Sequence, residues 1–222
     1  MPTAEKPSLY NQVPSGWTFY ESIYEDAVRT APPGSLLIEV GSFWGKGAIY
    51  LAELSKAADK DLRCYAVDLW GMRPENNPPL FDEPNWCFSP GAAERGNIEP
   101  RIHREHHNSL FETFAHFVDK TKLSPDPLRI MRMDSLEAAE FFEFVKRPIH
   151  LLFLDDDHQY EHVIRELRAW VPLISSGGII AGDDFTAEFD GVEKAVREYF
   201  PADQIELRPR ANGVGHCWMV RL

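Results

Sequence analysis

Two short runs of acid lie where apolar runs stop. Ile149, Leu151, Leu152, Phe153 and Leu154 lead directly into Asp155, Asp156 and Asp157, and Gly178, Ile179, Ile180 and Ala181 lead within one residue into Asp183 and Asp184. Between them, Val163, Ile164, Leu167 and Trp170 recur at helical spacing. Strand, helix, strand predicts two neighbouring parallel strands, which puts both acidic groups at one edge of a sheet. That edge, outside the carboxyl ends of the strands, is where open α/β sheets take ligands. Like charges gathered there repel one another unless something neutralises them. His158 follows the first acidic run, and an imidazole with an ordinary pKa of about 6.5 can be neutral and accept a proton near neutral pH. The bland alternatives are strand-end and capping acids. Asp157 reads as a helix N-cap, His162 as a surface residue, and Asp156 has no assignment.

A second chemistry-bearing stretch lies upstream. Ser35 to Val40 is a short apolar strand, Gly41, Gly45 and Gly47 follow, and Ala48, Leu51, Ala52 and Leu54 continue as a helix. Glycine lets backbone approach a ligand and adopts angles other residues avoid. A helix N-terminus offers unpaired N–H groups. The spacing G-x-x-x-G-x-G is not the dinucleotide pattern G-x-G-x-x-G. The next strand, LRCYAVDLW, ends at Asp68, about one βαβ repeat on, where an acid commonly accepts hydrogen bonds from ribose hydroxyls.

The elements that must position these residues follow in order. Residues 17–30 read as an amphipathic helix whose aromatics, Tyr20 and Tyr24 among them, belong to the core. Residues 109–123 form a helix, LRIMRMDS is the third strand, LEAAEFFEFV a helix, and Val192–Phe200 another. Asp203–Leu207 and His216–Leu222 read as two closing strands joined by the turn-rich PRANGVG. The expected fold class is α/β: a doubly wound, Rossmann-like, mostly parallel seven-stranded sheet with a terminal antiparallel hairpin. Residues 71–108 lack periodicity, and a loop this long is usually functional. Phe81, Trp86 and Phe88 could line an acceptor pocket there, while His103, His106 and His107 read as a solvated loop end in preference to a metal site.

Composition narrows the partners. The chain has 222 residues, enough for one sizeable domain, and a net charge of -12 that argues against nucleic acid or an anionic membrane as partner. No apolar run reaches membrane-spanning length. The first residues lack the basic and apolar regions of a secretory signal. Cys64, Cys87 and Cys217 are few, odd in number and far apart, which suggests a reducing, cytoplasmic setting.

The order of motifs resembles class I S-adenosylmethionine-dependent methyltransferases, and within them the metal-dependent small-molecule O-methyltransferases of the macrocin and macrolide-sugar type. The likeness runs over about residues 35–185, through IEVGSFWGKG, YAVDLW, MDS at 133–135 and LDDDHQYEHVIRELRAWVPLISSGGIIAGDDF. It implies one methyltransferase domain over 1–222, with 1–34 as an N-terminal arm and helix and 71–108 as a lid or acceptor-binding insert. It implies S-adenosylmethionine contacts at Glu39, Gly41, Ser42, Gly45, Asp68, Asp134, Ser135 and Asp155. Asp68 would hold the ribose, and Asp134 and Ser135 would lie by the adenine. It implies a divalent cation on Asp155, Asp183 and Asp184, and His158 as general base, the alternative being a His that orients a metal ligand. Asp156 departs from the family pattern, which has Gly there. Three carboxylates suit Mg²⁺ or Mn²⁺ better than zinc. The expected reaction is metal-assisted O-methylation of a small polyhydroxylated acceptor, a sugar or natural product, with no nucleic-acid or membrane partner and a homo-oligomer left open. A nicotinamide-dependent oxidoreductase on the same fold and a non-catalytic cofactor- or metal-binding module are the competing expectations.

Overall fold

The computed structural model describes residues 9–13, 20–70, 110–210 and 215–222. The 71–108 insert, with the aromatic and histidine residues named above and Cys87, lies outside them, as do residues 1–8 and 14–19. The strands are β1 (Leu36–Val40), β2 (Arg63–Asp68), β3 (Leu128–Arg132), β4 (Ile149–Leu154), β5 (Ile174–Phe185), β6 (Glu206–Pro209) and β7 (His216–Arg221). The α-helices are α1 (Glu21–Thr30), α2 (Lys46–Ala58), α3 (Leu110–Thr121), α4 (Ser135–Val145), α5 (Tyr160–Trp170) and α6 (Asp190–Tyr199).

One sheet carries all seven strands in the order β3-β2-β1-β4-β5-β7-β6. Strands β3 to β5 pair in parallel, and β7 runs antiparallel to both β5 and β6. The closing hairpin is therefore folded so that its second strand sits inside the sheet. Every residue of β1 and of β4 is buried, as expected for parallel strands covered on both faces.

Side chains leave a strand alternately to either face, and the sheet accordingly divides two cores. Leu37, Cys64, Leu151, Phe153, Ile179 and Met219 face α1, α2 and α3, while Leu36, Ile38, Leu152, Ile180, Trp218 and Val220 face α4, α5 and α6. Burying a side chain of this size contributes about 1.5–3 kcal/mol relative to leaving it exposed. The α5 face is the predicted one, with Val163, Ile164, Leu167 and Trp170 buried.

Three boundaries move. Helix α1 begins at Glu21. Strand β5 begins at Ile174, four residues ahead of the apolar run, because Ile174 already pairs with Ile149 and the intervening Ser175, Ser176 and Gly177 join the strand without apolar side chains. The sixth strand starts at Glu206, since Ala202–Gln204 close into a single 3-10 turn. Pro209 fits at the end of β6 because that strand is an edge.

The order of the sheet fixes where a ligand can go. The chain leaves β1 toward β2 on one side and later returns to pair β4 on the other, so the topological switch point lies between the carboxyl ends of β1 and β4. The glycine loop follows β1 and the three aspartates follow β4.

Candidate active site

Gly41 joins the two halves of this edge. Its φ is +84°, and a Cβ there would fall 2.0 Å from the Asp155 carbonyl oxygen and 2.7 Å from the Asp156 nitrogen. Around it the ladders continue, Gly41 N–H to Val67 O and Asp155 N–H to Val40 O, both at 2.9 Å. The loop then closes by Gly45 N–H to Ser42 O at 2.7 Å. Gly45, at φ +85°, leaves no room for a side chain because the Phe114 ring of α3 would lie 2.8 Å from its Cβ. A Cβ at Gly47 would strike the Glu39 carboxylate at 2.3 Å. These glycines are thus required by packing of the protein on itself.

Glu39 is 2% exposed and lies behind the loop. It accepts a short hydrogen bond from the Tyr24 hydroxyl. Burial pushes its pKa up to about 7, held back by the Tyr24 hydroxyl, the nearby Ser42 hydroxyl and the Ala48 N–H. Through these neighbours it ties α1 and the first turn of α2 to β1. Asp68 accepts the Phe43 N–H at 2.9 Å and the Trp70 N–H at 2.6 Å, one on each oxygen. Burial raises its pKa to about 6 against those two bonds and a third from the Ser42 N–H. A carboxylate at this strand end is of the kind that accepts ribose hydroxyls. The Ser42 hydroxyl is buried without a partner in hydrogen-bonding geometry among the described residues, although it lies near enough to Glu39 to influence it. An orphaned hydroxyl beside the loop also fits an S-adenosylmethionine site. Asp134 starts α4, accepting the Leu136 N–H at 2.8 Å. Ser135 is turned inward, 3% exposed, so its side chain is not available to an adenine.

Asp155, His158 and Asp184 each bring a ligating atom within 4.8 Å of the others. His158 Nε2 stands 2.7 Å from Asp184 Oδ2, and its ring stacks on Phe189 at 4.4 Å between centroids. Burial disfavours the imidazolium, but the bond and charge of Asp184 outweigh it and raise the His158 pKa. Asp155 is pushed well up by burial and by the charges of Asp183 and Asp184. Asp184 sits at φ +55°, in the left-handed region that Asp visits more readily than most residues.

The third predicted cation ligand is differently engaged. Asp183 is 6% exposed and accepts from Arg210 at 2.6 Å and from the Cys217 thiol at 3.1 Å. Arg210 also reaches Asp184 Oδ1 at 2.5 Å. The residues that could hold a small cation are Asp155, Asp184 and His158, and one guanidinium already neutralises much of the acidic pair. Arg210 gave no signal in the sequence, because it lies 26 and 27 residues from its partners in a stretch that reads as a turn.

The remaining acids and histidines also differ from expectation. Asp157 does not cap α5. Its Oδ1 accepts the Gln159 N–H at 2.7 Å, and Gln159 is the cap residue. His162 is no surface residue: its side chain is 20% exposed and lies 3.5 Å from Asp156 Oδ2 and 3.7 Å from Glu166 Oε1. A small cavity of about 10 Å³ touches Asp157, His158, Asp183, Glu166 and Trp218. Beyond His158 a cleft of about 210 Å³ is bordered by Tyr160, Phe189 and Lys194.

A family model described as a methyltransferase domain matches residues 38–185. The chain belongs to this methyltransferase family, and with its sheet order and strand-end site it is a class I S-adenosylmethionine-dependent methyltransferase. Membership decides against the nicotinamide oxidoreductase and the non-catalytic module. Its fold is similar to that of CalS11, a TDP-rhamnose 3'-O-methyltransferase in calicheamicin biosynthesis, with a TM-score of 0.58 and 18% identity over 90% of this chain and 76% of that one. It is also similar to the O-methyltransferase NovP, with a TM-score of 0.57 and 19% identity over 91% and 79%. An O-methyltransferase from Bacillus cereus in complex with SAH aligns at a TM-score of 0.58 and 12% identity over 100% and 94%. None of the curated proteins matches the chain significantly. No helix among the described residues is long and apolar enough to cross a membrane.

Proposed function

We propose that this enzyme transfers the methyl group of S-adenosylmethionine to a hydroxyl oxygen of a small polyhydroxylated molecule, a sugar or related natural product. The observation that carries the proposal is the His158–Asp184 pair at 2.7 Å, set beside Asp155 and joined to the glycine loop through Gly41. The sulfonium donor is already activated, so the protein must position the acceptor and manage its proton. Orientation of this kind is worth about 7 kcal/mol or more in ideal cases. A protonated hydroxyl is a poor nucleophile, and a positioned base contributes about 10²–10⁴-fold. Nε2 faces Asp184 Oδ2 at 2.7 Å, and the charge of Asp184 stabilises the imidazolium that forms when His158 takes the acceptor's proton. Asp184 and the Phe189 ring hold the imidazole in place. All three of the similar folds bear the names of O-methyltransferases, one of them for a nucleotide-linked sugar, in keeping with this acceptor class.

A divalent cation, Mg²⁺ or Mn²⁺, would be held by Asp155 and Asp184, whose oxygen ligands suit it. Bound there, it would lower the pKa of a ligated hydroxyl and help to orient a diol. Arg210 would first have to release Asp184. Calorimetry with S-adenosylhomocysteine, with and without Mg²⁺, tests the cofactor half. Methyl transfer across nucleoside-diphosphate sugars and catechols tests the acceptor half. Absence of S-adenosylhomocysteine binding under either condition sinks the reading. Binding with transfer only to nitrogen or carbon acceptors overturns the O-methylation assignment.

A further inference from the structure

We propose that Asp156, His162 and Glu166 form a second site, for a divalent transition-metal ion of the zinc class, separate from Asp155, His158 and Asp184. His162 and Glu166 are one turn apart on α5 and present the same face. Asp156 comes to them from the end of β4. Each residue offers one ligating atom, and all lie within 4.8 Å of one another. His162 Nε2 stands 3.5 Å from Asp156 Oδ2 and 3.7 Å from Glu166 Oε1, both longer than an ordinary nitrogen–oxygen hydrogen bond. Two ligands on a tetrahedral ion with bonds of about 2.0–2.1 Å are about 3.4 Å apart. The two contacts of His162 would shorten by only a few tenths of an ångström to reach that spacing, with Asp156 and Glu166 drawn in to the same separation from each other.

The independent observation is Glu166 itself. It is 0% exposed, and its Oε2 has no hydrogen-bond partner among the described residues. The same holds for the buried Asp156 Oδ1, and His162 Nε2 makes no hydrogen bond of good geometry. A buried acid is costly unless a cation meets it; without an ion that task falls to His162, whose pKa Asp156 and Glu166 push up to about 11, and a bound dication would displace that proton. Two carboxylates and a neutral imidazole sum with a dication to zero charge, and mixed imidazole and carboxylate ligands suit zinc and its neighbours better than Mg²⁺ or Ca²⁺. Glu166 is also held from behind. Its Oε1 accepts from the Ser135 hydroxyl, which in turn accepts from Trp170 Nε1 at 3.1 Å. Outer hydrogen bonds of this kind orient the carboxylates of metal sites. An ion here would pin the first turns of α5 to the end of β4. Asp155 and His158 lie on the segment so fixed, which makes the ion a positioning element independent of how methyl transfer proceeds.

The test uses full-length protein stripped with a chelator and titrated with Zn²⁺ against a chromogenic competitor, alongside Asp156→Asn, His162→Gln and Asp184→Asn. The wild type and Asp184→Asn are expected to bind one tight Zn²⁺ each and to gain thermal midpoint with one equivalent. Asp156→Asn and His162→Gln are expected to lose at least about 100-fold in affinity and to lose that gain. Asp156→Asn changes only a strand-end residue, so it keeps the test valid if His162→Gln fails to fold. Equal affinity in all four proteins overturns the site. Loss in Asp184→Asn alone places the ion at the other cluster and likewise overturns it, without touching the proposed reaction. Nitrogen NMR of His162 gives a separate readout. An imidazole protonated on both nitrogens with Zn²⁺ present means that an ion pair, and no metal, joins the two acids.

Discussion

Gly41→Ala is the perturbation that most directly probes the junction of the two half-sites. An L-residue in the left-handed region costs about 1–2 kcal/mol. The added Cβ would stand 2.0 Å from the Asp155 carbonyl oxygen and 2.3 Å from its carbon, where only backbone can yield. Carbon and oxygen need about 3.3 Å even in their closest favourable contacts, so the ends of β1 and β4 must part by roughly 1 Å. Opening them weakens at least one of the two ladder bonds there, worth about 1 kcal/mol. The expected loss of stability is therefore about 2–3 kcal/mol by urea melts. A misplacement of about 1 Å can cost on the order of 100-fold in function, so affinity for S-adenosylhomocysteine by calorimetry should fall steeply. Gly177→Ala is the control. Gly177 has φ +78° but nothing within 4 Å of its Cβ position, so it carries the backbone cost alone and leaves cofactor affinity unchanged. If Gly41→Ala behaves like Gly177→Ala in both measurements, the close approach to Asp155 is not what holds the site together.

Three further substitutions probe other parts of the site. Glu39 has its pKa raised from an ordinary 4.5 to about 7, so the folded state holds the proton more tightly; the associated stability is complete below about pH 4.5 and lost as pH rises through 7. Relative to Glu39→Gln, the wild type should lose about 3 kcal/mol between pH 4.5 and 8 in denaturant melts, and parallel pH curves would refute this. Arg210→Ala removes the guanidinium from Asp183 and Asp184, at an expected cost of about 3–5 kcal/mol for breaking a buried pair, and Mg²⁺ should stabilise the variant more than the wild type in thermal melts; an equal shift argues against a shared site. His158→Ala should leave S-adenosylhomocysteine affinity intact and lower kcat by about 10²–10⁴-fold, and unchanged turnover removes His158 from the chemistry.

The parts of the fold legible in the sequence are those set by local pattern. Val163, Ile164, Leu167 and Trp170 show their helical period, and Gly41 through Gly47 mark the break after β1. Alternation of strand and helix carries the parallel sheet, and the turn at PRANGVG carries the antiparallel pair. What escaped notice depends on pairs distant in sequence. Glu39 reads as a loop acid facing a ligand until Tyr24, 15 residues earlier, folds across it. Ser135 reads as an adenine contact until Glu166, 31 residues later, turns it inward. His162 looks like the polar side of α5 because its partner Asp156 precedes the helix. In each case the side chain's direction is decided by a neighbouring element, which the residue's own surroundings in sequence do not encode. Tyr24 did carry a faint signal, since a buried tyrosine hydroxyl needs a partner.

The position of β7 sets a schedule for making the protein. Strand β5 and its terminal Asp183 and Asp184 leave the ribosome well before residues 206–221, which supply both the strand that pairs with β5 and the arginine that meets its acids. Until that segment arrives, β5 is an open edge, able to pair with whatever strand is near, and its paired aspartates lack their counter-charge. The acidic end hinders folding of the half-made chain and at the same time discourages illicit pairing with another copy. Arrival of residues 206–221 closes the edge and discharges the repulsion together, so completion of the sheet and neutralisation of its acidic end are the same late event.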